Sequence, residues 1–206
     1  MGEITLYHTQ NSRSIRPRWL MLEMGLDFNL VKVPYKLGHC GDEDYDKIHP
    51  MRRIPALTHG GIKIFESLAI LDYLTMRYDK NFTYRPDPEA QAYAEFLQYF
   101  HFGESSFGTS VTQRLAHVRL LPESERLSEE VTRCEHNISG YLKLIDQQLD
   151  GRDYLMARGF STADISVAYM LFLLKISQGA EGFTPRISAY WNRIKSRPAW
   201  IAASQD

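Results

Sequence analysis

The stretch from Arg53 to Ser67 constrains this chain more than any other: Arg-Ile-Pro-Ala-Leu-Thr-His-Gly-Gly-Ile-Lys-Ile-Phe-Glu-Ser. Pro55-Ala56-Leu57 begins an apolar run, and proline is allowed at a strand's first residue because its missing N–H need not pair there. His59-Gly60-Gly61 reads as a tight turn, since glycine takes positive φ at no steric cost. Ile62 to Phe65 alternates as a second strand. Leu68 to Leu74 then reads as a helix, with Ser67 at its N-cap. The unit is therefore strand, hairpin, strand, helix, with the polar pair Glu66-Ser67 at the last junction.

A helix start presents free N–H groups and a partial positive charge to an anion. An Ile-Pro bond tolerates the cis form. If cis, it would turn the backbone of Ile54 outward as an open edge for a peptide-like ligand. A plain βα unit with a capping serine accounts for the same residues equally well.

The surrounding residues narrow this choice. Pro50, then Arg53-Ile54-Pro55-Ala56-Leu57, Phe65-Glu66-Ser67-Leu68-Ala69-Ile70 and Tyr73-Leu74 resemble the glutathione transferase family, with His49 where that pattern has Asn. The resemblance extends over nearly the whole chain and leans toward serine-type, theta- and delta-like bacterial or fungal members. It implies an α/β N-terminal thioredoxin-like domain followed by an all-α C-terminal helical domain.

The order of elements agrees. Ile4–Tyr7 is a short alternating strand. A helix starting near Ser14 carries Trp19, Leu20, Leu22 and Met24, with Pro17 harmless in its first turn and Gly25 at its end. Phe28 to Val33 is a strand, and strand–helix–strand with a short link implies a parallel pair with a right-handed crossover. Residues 34–52 are polar and irregular, with a helical turn near Asp44 to Ile48. Residues 1–80 are thus expected to form the first domain and residues 81–88 a linker, marked by Asn81, Pro86 and Pro88. Residues 89–206 are expected to form the helical domain. There a long helix spans Glu89 to about Leu120, with Gly103 and Gly108 weakening its straightness. Further helices span Ser128 to Leu149 and Thr184 to Arg197, before Pro198-Ala199-Trp200. Between them, Ser161 and Asp164 resemble a capping box, with Asp in place of the usual Glu/Gln, ahead of a run from Ile165 to Ile176 that is apolar nearly all round, as a fully buried helix would be.

Composition excludes several classes. A net charge of -1 over 206 residues argues against a nucleic-acid binder. The two cysteines, Cys40 and Cys134, support neither a disulfide framework nor a metal cluster, and point to a reducing cytoplasm. The start of the chain lacks a signal-peptide pattern, and no apolar run reaches the ~18 residues of a membrane span.

The resemblance assigns candidate site residues. In serine-type members a hydroxyl four residues before a helix arginine stabilises the glutathione thiolate; here that is Ser12, four before Arg16. A tyrosine at the end of the first strand would instead be Tyr7, and Asn11 is a third candidate. Glutathione, as co-substrate, would lie across Arg53, Ile54 and Pro55, with its γ-glutamyl group on Glu66 and Ser67. His39 is a weaker match to a loop histidine. His101 and Ser105, four apart on the helical domain's first helix, would touch the second substrate, although a core histidine explains His101 as simply. Arg13, Arg16 and Arg18 read as a solvated helix face, or else as contacts for an anionic substrate or a glutathione carboxylate. No metal is implied.

The resulting expectation is a cytoplasmic, homodimeric glutathione transferase, active in detoxification, whose thiolate attacks a small electrophile held between the domains. No nucleic acid or membrane partner is expected. A glutathione-dependent isomerase or lyase on the same site, and a non-catalytic scaffold of the same fold, are the rivals. Retention on glutathione-agarose separates the scaffold from both enzymes.

Overall fold

A computed structural model describes residues 2–36 and 39–205. The chain divides into two compact units. One runs to Thr83 and takes in the segment from Arg197 onward; the other is Tyr84–Ser196. The first boundary falls inside the expected linker. The terminal segment, expected with the helical domain, groups with the first unit instead.

The first unit is built on a four-stranded sheet. Its elements are β1 (Ile4–His8), α1 (Ile15–Glu23), β2 (Asn29–Lys32), β3 (Tyr35–Lys36), β4 (His39–Cys40), β5 (Ala56–His59), β6 (Ile62–Phe65) and α2 (Ser67–Tyr78). The sheet order is β2-β1-β5-β6. β1 and β2 pair in parallel, while β1–β5 and β5–β6 are antiparallel. Gly60 and Gly61 both take positive φ, 54° and 85°, which the β5–β6 turn requires. The expected helical turn is a 3-10 turn at Glu43–Lys47. β3 and β4 form a separate two-residue ladder within a segment whose sequence reads as irregular.

Strand β1 alternates Ile4 and Leu6 into the core, and Trp19, Leu20 and Met21 of α1 are fully buried. Burying such a side chain contributes about 1.5–3 kcal/mol. α8 (Pro198–Ser204) covers α1 from the C-terminal side. Trp19 and Trp200 meet edge to face at 4.9 Å. Arg197 grips both carboxylate oxygens of Glu23, at 2.6 and 2.7 Å, and Trp19 Nε1 donates to the same carboxylate. Pro198 begins this helix, where proline's missing N–H costs nothing; the sequence pattern shows only a helix to Arg197 ahead of it.

The second unit is helical: α3 (Ala92–Phe102), α4 (Ser106–Leu115), α5 (Ser128–Gln148), α6 (Thr162–Ile176) and α7 (Pro185–Lys195). The expected helix over residues 89–120 is broken between Phe102 and Ser106, and a π-helical turn at Ala116–Leu120 ends its second half. Gly103 shows why the chain has no side chain at the break. A Cβ there would come within 2.4 Å of Ser166 Oγ and 2.7 Å of that residue's carbonyl carbon. α3 therefore approaches α6 backbone to backbone, and Ser166 Oγ donates to the Phe100 carbonyl at 2.7 Å. Gly103→Ala is expected to destabilise the protein by about 1–3 kcal/mol through overpacking, measurable by urea denaturation.

α6 is buried over nearly its full length. Its capping box is formed as the sequence predicts: Ser161 N–H donates to Asp164 Oδ2 at 2.8 Å. Asp164 Oδ1 accepts from Leu155 N–H at 2.9 Å and from the Tyr190 hydroxyl at 3.1 Å. Burial pushes the Asp164 carboxyl up to about 6 against these donors, and raises the Tyr190 phenol as well.

Candidate active site

The strand register brings three segments together at one end of the sheet. Tyr7 lies opposite Ala56, and Ala56 opposite Phe65. The chain leaving β1, the Ile54-Pro55 dipeptide ahead of β5 and the Glu66-Ser67 pair after β6 are consequently neighbours. The Ile54–Pro55 bond is cis. Ile54 lies outside the strand, and among the described residues its N–H and C=O make no backbone hydrogen bond.

Glu66 has φ 71° and ψ 114°, an uncommon backbone for a residue with a side chain. Its side chain is exposed. Ser67 is the first residue of α2, and Glu66 is its N-cap, one position earlier than expected. The Ser67 hydroxyl is buried and accepts a hydrogen bond from Arg16 Nη1 at 3.1 Å. Arg16 is fully buried. The solvated-face reading of the arginine cluster therefore fails here: the guanidinium ties the start of α1 to the start of α2. Arg18 is also partly buried and donates to His8 Nε2 at 3.4 Å and to the Gln205 carbonyl at 2.8 Å.

The three candidates for the thiol contact stand in different surroundings. Ser12 is partly buried, ahead of α1, and its hydroxyl donates to the Thr9 carbonyl at 2.7 Å. Asn11 is exposed, with φ 56°. Tyr7 packs its ring on the cluster of Val33, Cys40, Tyr45 and Ala56, 5.7 Å from the Tyr45 ring.

Arg53 is exposed, and its carbonyl accepts from the Tyr45 hydroxyl at 3.0 Å. His49, in the place of the pattern's Asn, is buried against Phe65 at 4.9 Å, and its Nδ1 accepts from Met51 N–H at 3.2 Å. Burial holds its imidazole below the usual range, with the Glu66 carboxylate pulling the other way. His39 is half-buried in β4, on the short second ladder. Burial raises the Cys40 thiol, which makes it a poor nucleophile.

In the second unit His101 and Ser105 are both exposed, and the Ser105 hydroxyl donates to the His101 carbonyl at 2.9 Å. The core reading of His101 is overturned. Among the described residues no group of three His, Cys, Asp or Glu side chains is placed to hold a metal ion, and no helix is long and apolar enough to cross a membrane.

A thioredoxin-like sheet with a cis-proline ahead of β5, a Glu-Ser pair at the start of α2 and a following helical unit make up the architecture that the resemblance implies. Comparison with known proteins agrees. The glutathione S-transferase N-terminal domain matches residues 2–76, and the C-terminal domain of the same family matches residues 109–198. Glutathione S-transferase F10 of Arabidopsis thaliana is 26% identical, over 98% of this chain and 96% of its own. Glutathione S-transferase theta-1 of Rattus norvegicus is 26% identical over 83% and 73%. The glutathione transferase URE2P6 of Phanerochaete chrysosporium, solved in complex with oxidized glutathione, superposes with a TM-score of 0.84 at 25% identity, over 98% of this chain and 94% of that one. A glutathione transferase from Methylococcus capsulatus shares the fold with a TM-score of 0.86 at 24% identity, over 98% and 97%. This chain belongs to the glutathione S-transferase family, and it is a glutathione transferase.

Proposed function

We propose that the protein binds glutathione along the Ile54 edge and activates its thiol with the Ser12 hydroxyl for attack on a small electrophile. What supports this reading is the strand register, which sets the end of β1, Ile54-Pro55 and Glu66-Ser67 at one end of the sheet, with Ser12 in the segment that leaves β1. The peptide backbone of glutathione pairs with the free N–H and C=O of Ile54. Its γ-glutamyl carboxylate takes the N–H groups at the start of α2 together with the Ser67 hydroxyl, which Arg16 polarises from behind. The Glu66 side chain receives the α-amino group, and Arg53 receives the glycyl carboxylate.

The energetics support a single hydroxyl as the activating group. Lowering a thiol pKa by two units requires ~2.7 kcal/mol. A hydrogen bond to a charged group supplies ~1.5–3 kcal/mol, and the helix start adds ~0.3–1 kcal/mol. The thiolate, which is the nucleophile, is then abundant near neutral pH. Ser12 suits this role better than Tyr7, whose ring is committed to core packing, or Asn11, whose side chain is exposed. His101 and Ser105 are the proposed contacts for the electrophile. The protein is proposed to work as a cytoplasmic homodimer in detoxification.

Glu66→Ala and Ser67→Ala are each expected to weaken glutathione binding by about 1–2 kcal/mol, the loss of one charge-assisted hydrogen bond. Calorimetric titration checks this, and unchanged affinity in both variants would overturn the site.

A further inference from the structure

Behind Ser12 lies a line of polar groups that the proposed chemistry does not yet use. Ser14 Oγ is 2.7 Å from Ser12 Oγ and 2.7 Å from His8 Nδ1. His8 Nε2 is in turn 3.4 Å from Arg18 Nη1. Ser14 and His8 are buried. Arg18 also donates to the carbonyls of Ala203, at 3.3 Å, and Gln205.

The direction of each bond follows from what the groups can do. A guanidinium only donates, so in a neutral imidazole His8 Nε2 accepts and the proton sits on Nδ1. His8 Nδ1–H then donates to Ser14 Oγ, which also accepts from Thr9 N–H at 3.3 Å. The single proton of Ser14 has two acceptors within reach, Ser12 Oγ at 2.7 Å and the Thr9 carbonyl at 3.3 Å. The nearer takes it. Ser12 therefore accepts from Ser14 and keeps its own proton to give away. Without ligand that proton goes to the Thr9 carbonyl. With glutathione bound it is available to the sulfur.

We infer that Arg18, His8 and Ser14 form a positioning relay that fixes the Ser12 hydroxyl as a donor toward the glutathione thiolate. Without the relay the Ser12–Ser14 bond can run either way, and Ser12 spends its proton on Ser14 part of the time. Hydrogen bonds in such a chain also polarise one another, so Ser12 is a stronger donor for having Ser14 behind it. His8, Ser14 and Arg18 touch no substrate in this scheme; they act through Ser12. The inference rests on Ser12 being the thiol contact.

The test measures the pKa of the thiol of bound glutathione, by thiolate absorbance against pH, in the parent and in Ser12→Ala, Ser14→Ala, His8→Ala, His8→Asn and the double variant Ser12→Ala/Ser14→Ala. Ser14→Ala and His8→Ala are expected to raise that pKa by about 0.5–1 unit, the scale of one neutral hydrogen bond. Glutathione affinity should change far less. His8→Asn, which keeps an N–H donor near the position of Nδ1, should restore most of the shift. In the Ser12→Ala background, Ser14→Ala should do nothing further, because the two act as one unit. If Ser12→Ala raises the pKa while Ser14→Ala and both His8 variants leave it alone, the relay is wrong and the Ser12 assignment stands. If the Ser12 and Ser14 effects add, Ser14 acts on the sulfur independently and the relay is again wrong. If Ser12→Ala itself has no effect, the assignment of Ser12 falls, and the relay with it. Should His8→Ala fail to fold, Ser14→Ala, which removes only one oxygen, decides between the same outcomes.

Discussion

Asp164→Ala is expected to lower the unfolding free energy by about 2–4 kcal/mol, the scale expected when buried neutral donors lose their acceptor. The deleted carboxylate receives the Leu155 and Ser161 N–H groups and the hydroxyls of Ser161 and Tyr190. Alanine leaves these donors without that acceptor, beneath a helix that is itself core. Chemical denaturation gives the loss directly, and the folded fraction should bind glutathione with the parent's affinity. A variant of full stability would contradict the network.

The same carboxyl gives a pH signature. Its folded-state pKa is raised to about 6 from an ordinary 3.8. A raised folded value means that the native state binds this proton more tightly than the unfolded chain does. The associated stabilisation is fully present well below the unfolded value of 3.8 and is lost as pH rises through 6. Asp164→Asn does not titrate. The stability of the parent relative to that variant should therefore fall by roughly 2 kcal/mol between pH 4 and pH 7, and stay flat above. Urea titrations of both proteins across this range check the sign as well as the size.

Ser12→Ala is expected to raise the pKa of bound glutathione by about 1–2 units, equivalent to ~1.4–2.7 kcal/mol, and to slow conjugation at pH 7 by roughly 3–25-fold through the smaller thiolate fraction. Binding should change less, because Ile54, Glu66 and Ser67 hold the rest of the tripeptide. Tyr7→Phe should leave the pKa unchanged. The motive is the position of Ser12 ahead of α1, with its hydroxyl 2.7 Å from the Thr9 carbonyl, a partner it can exchange for sulfur. A raised pKa in Tyr7→Phe with none in Ser12→Ala would transfer the role to the phenol.

Much of this site is written in local sequence. Gly60-Gly61 dictates a turn, Ile54-Pro55 marks an edge, and Ser161 with Asp164 declares a helix start, because each signal acts within four residues. What escaped a sequence reading depends on partners far away. Arg16 reads as a solvated arginine until Ser67, 51 positions later, arrives to accept its hydrogen bond. His8 reads as the last residue of a strand, and only Ser14 and Arg18 reveal which tautomer it must hold. The break after Phe102 has no proline to announce it, and a glycine stands there because α6 lies so close that no Cβ fits at Gly103. The β3 and β4 strands are two residues each, shorter than one full alternation, so no periodicity could expose them. Pro198 carries both of proline's messages, and its role as a first helical residue emerges from the face of Trp19 that α8 covers.

The membership of α8 in the first unit also orders events during synthesis. Trp19 and Glu23 are made early, yet Trp200 and Arg197, which cover and pair with them, are translated only after the whole of Tyr84–Ser196. At ~5–20 residues per second that interval is on the order of ten seconds. For that time the nascent sheet and α1 carry an indole face without its cover. That face is closed only when α8 docks and Trp200 meets Trp19 edge to face.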